Sequence, residues 1–346
     1  MIYDIVNCFH RCPLPAGSAA ERCPLPPRLP GLAAQSSPAL PGISALTYTA
    51  AMIPPRFADN FVPLAWNGLH LSHPPDWQPA RLGLRYLLLA DAAGPVFEFK
   101  WRPGAGRKGM EAALRALTPK GRAKTGMSLP AAWLDALDAY ELMPLSWTCD
   151  GQSGLGAALF HPETGTAAVF QAYGGPDGLT AARQATVAAV LAGLRHDLPG
   201  PPDFRLYGLS FAAPPDFALA SFTFVPGRFS LRFIAGRRHL DVVRVAPAEV
   251  YLARDTLGAI AALTFGFDAS VRPEPTTLAG VPAVWLASHQ GTGWPDRVRR
   301  ALGRPGRLAV VRHESAVDKL LGAAVTSKKP VDRQWLAAVA AGCVSL

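Results

Sequence analysis

The chain reads GLHLSHPPDW from Gly68 to Trp77 and GLSFAAPPDF from Gly208 to Phe217, an offset of 140 residues. Five of the ten positions are identical, and two more exchange one bulky apolar residue for another. A match of this kind at a constant offset indicates an internal duplication, which determines the architecture of the whole chain. The sequence therefore predicts two copies of one folding unit in tandem.

The domain organisation follows from this repeat and from the length of 346 residues, which is typical of two domains. The segment PGPP at 199–202 has the composition of a linker, so the units are predicted at 52–200 and 201–346. Residues 1–51 differ, because they repeat RCPLP at 11–15 and 22–26 and show no helical or strand period. We expect them to form a disordered or non-native N-terminal tail, with Met52 as the native start.

Within each unit, short runs of alternating apolar residues predict strands that are joined by hairpin-length turns. The turn at Pro162–Gly165 and the helical pattern at Thr180–Arg195 belong to the first unit. In the second unit, Val243–Pro247 resembles Phe99–Pro103, now at an offset of 144. Each unit thus reads as strands, a helix, more strands and a final helix. The predicted class is α+β, with two tandem antiparallel-sheet α/β sandwich units related by internal duplication.

Composition narrows the class of protein further. Apolar residues make up 49% of the chain and charged residues 17%, which is typical of a globular protein. No apolar run reaches the ~18 residues that span a bilayer, and no secretory signal opens the sequence. We therefore expect a cytoplasmic protein without a membrane partner. The five cysteines form no Cys-x-x-Cys pair, so neither a disulfide framework nor a metal site is predicted, and nothing indicates a cofactor.

Positive charge is concentrated in the second unit. The net charge is +9, and residues 203–346 contribute +7 of it from eighteen basic and eleven acidic residues. This excess is one indication of nucleic acid or another polyanion as a partner, although a bias towards arginine codons, which needs no ligand, is the favoured explanation. A second basic region lies in the glycine-rich loop 104–109, which either holds an anion or pairs with acidic residues such as Glu141. The candidate anion-binding residues are Arg107, Lys108, Arg297, Arg300, Arg304 and Arg307.

One pair of residues could carry thiol chemistry. Cys149 is followed by Asp150, and His161 lies on the next predicted strand. A thiolate beside a histidine is the minimum for a thiol-dependent hydrolase. The competing interpretation is a buried structural cysteine, because free cysteine is among the most buried residues. His70 and His73 are interpreted as structural, since they would point to opposite faces of a strand.

The repeated motif resembles the start of PsbP/Mog1-like domains, which open with a strand and a Pro-x-x-Trp or Pro-x-x-Phe turn and close with a helix after a late hairpin. Pro74–Trp77 and Pro214–Phe217 match that turn, and the helices beginning near Thr180 and Asp332 match the closing element. Members of that fold mostly bind partners, such as photosystem subunits or a small GTPase. The resemblance therefore implies a binding fold, and it supplies no catalytic residues.

The sequence favours a binding or adaptor protein without catalytic activity, which takes an unidentified protein partner. If the copies shared a reaction, charged residues, histidines or cysteines should recur at the offset of 140, and of these only Asp76 and Asp216 do. The alternatives are nucleic-acid or polyanion binding through the second unit and a thiol hydrolase at Cys149. What differs between the copies is charge, histidines and cysteine context, so we expect any function to depend on residues that did not repeat.

Overall fold

The computed structural model describes residues 60–117, 123–125, 127–149, 151–196, 201–289, 293–294, 298 and 305–346. The predicted tail at 1–51 lies outside these ranges. Strands account for 50% of the described residues and helices for 22%, and the strands form three antiparallel sheets. The predicted α+β sandwich class is therefore wrong, and the fold is β-rich. The reason is that the hairpin-linked strands are long and numerous, while the helices between them are few and short.

The first half of the described chain contains ten strands and three helices. In chain order they are β1 (Val62–Trp66), β2 (Leu69–His73), β3 (Gln78–Gly83), β4 (Tyr86–Asp91), β5 (Gly94–Arg102), α1 (Gly106–Leu117), β6 (Ala123–Thr125), α2 (Ala131–Ala136), β7 (Glu141–Cys149), β8 (Gln152–His161), β9 (Thr166–Gly174), α3 (Ala181–Ala192) and β10 (Arg195–His196). Seven of these strands form one sheet, in the order β3-β4-β5-β9-β8-β7-β6.

The second half repeats this order strand for strand. Its elements are β11 (Asp203–Leu206), β12 (Leu209–Ala212), β13 (Ala218–Val225), β14 (Arg228–Ala235), β15 (Arg238–Val245), α4 (Ala248–Leu252), α5 (Leu257–Phe265), β16 (Glu274–Leu278), β17 (Val281–Ser288), β18 (Gly306–Glu314), a 3₁₀ turn (Ser315–Val317), β19 (Lys319–Ser327), α6 (Arg333–Ala341) and β20 (Val344–Ser345). Its sheet runs β13-β14-β15-β19-β18-β17-β16. The similarity between the halves thus extends from the repeated motif to the whole topology.

A third sheet contains strands from both halves, in the order β10-β2-β1-β11-β12-β20. At its centre β1 pairs antiparallel with β11, with Ala65 opposite Arg205. The repeated glycines, Gly68 and Gly208, each follow a residue with positive φ, so both hairpins turn in the type I′ manner that suits the twist of the strands. All described residues lie in one compact unit, Asp59–Leu346. The division into domains at residues 200 and 201 stays a prediction.

One apolar core runs between the three sheets. Trp66 of the shared sheet makes edge-to-face contacts with Phe204 and with Phe222, a residue of the second-half sheet. The outer face of each seven-stranded sheet carries a smaller core of its own, under α1 in the first half and under α5 in the second. Each seven-stranded sheet therefore has a central face and an outer face, and the candidate site lies on the outer face of the second half.

The two halves differ in register at one position. The pairing of β4 with β5 shifts by one residue between Leu89 and Ala90, whereas β14 and β15 pair without a shift. Beyond this bulge, Lys100 therefore corresponds to Val243, an offset of 143. The sequence alignment of Phe99 with Val243 is off by one residue, because Phe99 faces the central core and Val243 faces the outer core. A slip of one residue moves every side chain of a strand to the opposite face.

Candidate functional site: an arginine pocket in the second half

A pocket of about 240 Å³ opens on the outer face of the second-half sheet, beside the end of α5. We call it the arginine pocket, because three arginines lie in its wall together with four hydroxyl side chains. Its polar lining residues are Ser221, Thr223, Arg228, Ser230, Arg232, Asp241, Thr264 and Arg307. Arg228, Ser230 and Arg232 reach it because alternate residues of a strand share one face.

Arg232 and Asp241 form the ion pair of the pocket. They lie directly opposite each other on β14 and β15. Nε of Arg232 is 2.6 Å from Oδ1 of Asp241, and Nη2 is 3.3 Å from Oδ2. The hydrogen bond to Asp241 raises the pKa of Arg232 above its ordinary value. The pair orients the guanidinium, while its remaining nitrogen, Nη1, makes no hydrogen bond within the described residues and is available to a ligand.

The other two arginines meet the carboxyl end of α5. Nη2 of Arg228 donates to the carbonyl of Thr264 at 2.9 Å. Arg307 donates from Nη1 to Gly266 at 2.7 Å and from Nη2 to Phe265. These bonds satisfy carbonyls that the last turn of a helix leaves without a partner, at the negative end of its dipole. Both Arg307 termini are thus committed to the helix, whereas Nε and Nη1 of Arg228 have no hydrogen-bond partner among the residues that the structure describes and can bind an anion.

The corresponding place in the first half is filled. There Leu88 stands opposite Glu98, in the position of Arg232 and Asp241, and Tyr86 stands opposite Lys100. Nζ of Lys100 lies 2.6 Å from Oε1 of Glu98 and 5.2 Å from the centre of the Tyr86 ring, and Tyr173 donates a hydrogen bond to Glu98. Glu98 and Lys100 are buried. The first half therefore closes the same position with its own side chains.

The candidate anion-binding residues predicted from the sequence do not form one site. Arg107 and Lys108 lie exposed in the first turn of α1, and Nε of Arg107 is 3.1 Å from Oε2 of Glu141. Arg307 lies in the arginine pocket. Arg297, Arg300 and Arg304 fall outside the described residues. Among the predicted residues that the structure describes, Arg307 alone lines the pocket. Its guanidinium donates hydrogen bonds to carbonyls at the end of α5.

The predicted thiol pair is separated by the structure. Cys149 ends β7 and pairs with Gln152 at the start of β8, whereas His161 ends β8. His161 follows Gln152 by nine steps of extended strand, which is about 30 Å at ~3.3 Å per residue. His161 instead contacts His196 and Tyr140, with ring centroids 5.0 Å apart in both cases. The backbone positions of Cys149 and His161 therefore lie at opposite ends of the β7–β8 hairpin.

His70 and His73 lie in surroundings that favour a structural role. His73 is buried on β2, and its Nδ1–H donates to the carbonyl of Pro74 at 2.8 Å, which fixes the tautomer. Burial lowers the pKa of both His70 and His73 below the ordinary value. Across the residues that the structure describes, no three His, Cys, Asp or Glu side chains come together as a metal-ion site.

Sequence reasoning missed Arg228 and Arg232, the two arginines with donors available to a ligand. Their signal is the alternation Arg228-Phe-Ser230-Leu-Arg232, in which polar and apolar residues take turns along one strand. Alternation on its own predicts a half-buried strand. Only the tertiary structure, which places the end of α5 and the side chain of Arg307 beside this face, turns the polar stripe into a pocket.

Comparison with models of known protein families finds no match, and comparison with curated proteins finds no significant match. No helix within the described ranges combines the length and the apolar character needed to cross a membrane.

Proposed function

We propose that this chain is a cytoplasmic binding protein, without catalytic activity, that holds an anionic group of its ligand in the arginine pocket. The single observation that carries the proposal is the contrast between the halves. One scaffold position is closed by Tyr86, Lys100 and Glu98 in the first half and opens into a pocket lined by Arg228 and Arg232 in the second. A duplicated scaffold thus differs at the place where a ligand would bind.

The chemistry of the pocket supports an anion more than a reaction. Guanidinium groups bind phosphate, sulfate and carboxylate oxygens through paired donors, and the hydroxyls of Ser221, Thr223 and Ser230 add further donors. The carboxylate of the pocket, Asp241, is held by Arg232 and is therefore a poor general base. The set of groups orients and neutralises an anion, and it does not activate a nucleophile.

The predicted polyanion surface receives less support from the described residues. Arg312, which belongs to the same basic stretch as Arg307, is buried and donates to the carbonyl of Ala340 at 3.1 Å and to Glu314 at 2.6 Å. A buried arginine cannot contact a nucleic-acid backbone. The resemblance to PsbP/Mog1-like domains, with its implied protein partner, stays part of the proposal.

The test is a calorimetric titration of the full chain with inorganic phosphate and with sulfate at low ionic strength. We expect saturable binding of one anion per chain, and a loss of about tenfold or more in affinity for Arg228→Gln and for Arg232→Gln. The matched control is Arg237→Gln, which removes an exposed arginine from the turn between β14 and β15. Equal affinities for all four proteins would contradict the site, and the absence of anion binding would contradict the function.

A further inference from the structure

The arginine pocket lies beside an open edge of the second-half sheet. Among the described strands, β13 pairs with β14 alone and forms the edge of that sheet. From Ser221 to Val225 its register is regular, after a bulge between Leu219 and Ser221. The side chains of Ser221, Thr223 and Val225 are exposed on the outer face. An edge strand presents alternate N–H and C=O groups to a further strand.

The sequence of this edge lacks the residues that protect edges elsewhere in the chain. The strand ALASFTFV contains neither proline nor a charged residue. The corresponding edge strand of the first half, β3, contains Pro79 and Arg81, and β16 at the far edge of the second-half sheet contains Glu274 and Pro275. Proline and charge discourage strand addition. The edge at β13 is therefore open to pairing where the two others are blocked.

The spacing of the strands connects this edge with the pocket. Ser221 stands opposite Arg232, and Thr223 stands opposite Ser230. A strand added to β13 would lie ~10 Å from β14, because neighbouring strands are ~4.8 Å apart. A glutamate on its outer face and the long side chain of Arg232 together span that distance above the small Ser221. Charge complementarity thus selects an acidic occupant at alternate positions.

We infer that β13 and the arginine pocket together bind an extended acidic peptide, which adds an antiparallel strand to β13 and directs alternate carboxylates towards Arg228 and Arg232. This inference rests on the proposed anion site and names the class of its partner. Main-chain hydrogen bonds along the edge supply affinity, and the pocket supplies specificity for acidic side chains.

The experiment uses the full chain and a fluorescein-labelled peptide of about ten residues that alternates threonine with glutamate, measured by fluorescence anisotropy. Two further peptides carry backbone N-methyl groups on all threonines or on all glutamates. Methylation removes N–H donors on one edge of the peptide without changing its side chains. We expect one methylated peptide to lose affinity about tenfold or more and the other to retain it, because only one edge of the peptide pairs with β13. The double variant Arg228→Gln/Arg232→Gln should weaken binding of the unmodified peptide, and Arg237→Gln should not.

Several results would overturn the inference and leave the anion site intact. These are equal binding of the two methylated peptides, binding of inorganic phosphate without binding of the peptide, and a preference for oligothymidylate over the peptide. A dimer in light scattering that dissociates on Val225→Lys, a change at an exposed position of the edge strand, would assign the edge to a second copy of this chain. Loss of phosphate binding itself would instead overturn the proposed function.

Discussion

Arg232 and Asp241 face each other across β14 and β15 in a two-point ion pair, where the first half places Leu88 opposite Glu98. At this position of the repeated scaffold, the second half has a cation where the first half has an apolar residue, and both halves have an acidic residue opposite it. The exchange adds a positive charge to the outer face and, with the small Ser230 and Val243 beside it, leaves room for a ligand.

Asp241→Asn tests the role of the ion pair. The carboxylate competes with a bound anion for the guanidinium of Arg232, so its neutralisation should raise the affinity for inorganic phosphate about three- to tenfold. The measurement is the calorimetric titration described above. Asp268→Asn, which removes an exposed acid from the same half, is the control. A fall in affinity would mean that Asp241 orients Arg232 for the anion more than it competes with it.

Gly154→Ala tests the packing of the outer face in the first half. Gly154 pairs with Trp147, and an added Cβ would overlap the indole ring, which is held edge-to-face against Tyr173. We expect a loss of about 1–3 kcal/mol in the free energy of unfolding by urea. The control is Gly175→Ala, where no neighbouring atom lies within 4 Å of the new Cβ. If the two variants were equally stable, Trp147 would not be fixed in this position.

Arg312→Leu tests whether this arginine is structural. Its guanidinium is 3% exposed and bonds to Glu314 and to the carbonyls of Ala340 and Cys343. Removal leaves the carboxylate and carbonyls without these donors, which should cost about 3–5 kcal/mol in unfolding free energy. Arg272→Leu, at an exposed position, should cost less than ~0.5 kcal/mol. A stable Arg312→Leu protein with weakened nucleic-acid binding would support the polyanion alternative instead.

Stability should depend on pH below neutrality. Burial lowers the pKa of His73 and His70 in the folded protein, so the unfolded state binds protons more readily. The stability that the neutral rings contribute is complete above the ordinary pKa of 6.5 and is lost as pH falls from there towards the lowered values. Urea denaturation between pH 7.5 and 5 should show this decline, and His73→Gln should make it shallower. His239→Gln, a change on β15, is the control. A decline unaltered by His73→Gln would mean that other groups cause it.

Several hairpins along the chain were accessible from the sequence, because turns and alternation are local signals. The repeated motif that ends in Trp77 and in Phe217 is an example of a turn that the sequence predicted. Both aromatic residues are buried after a turn in which their N–H groups donate to Pro74 and Pro214. The shared sheet was not accessible, because nothing local shows that β1 and β11 join the two halves. This sheet depends on contacts between segments about 140 residues apart.

The strand register and the arginine pocket could not be predicted from the sequence, because both depend on how distant segments pair and pack. The bulge at Leu89 and Ala90 inserts one residue into the pairing, and no residue type marks it. Because of this bulge, the sequence alignment paired Lys100 with Arg244, although Lys100 corresponds to Val243 in the structure. The replacement of a buried lysine by a valine was therefore not visible in the sequence. The arginine pocket is assembled from β13, β14, β15, α5 and β18, so its residues are spread from Ser221 to Arg307. Clusters of charge along the chain, such as that near Arg300, do not show which charges share a face.

The position of a bound anion tests the proposed anion site in the arginine pocket most directly. Crystals of the full chain soaked in selenate can be measured at the selenium absorption edge, where the anion gives an anomalous signal. We expect a peak between Arg228 and Arg232 in the second half and none at the corresponding position beside Glu98 and Lys100. An empty arginine pocket, or equal peaks in both halves, would contradict the proposed anion site.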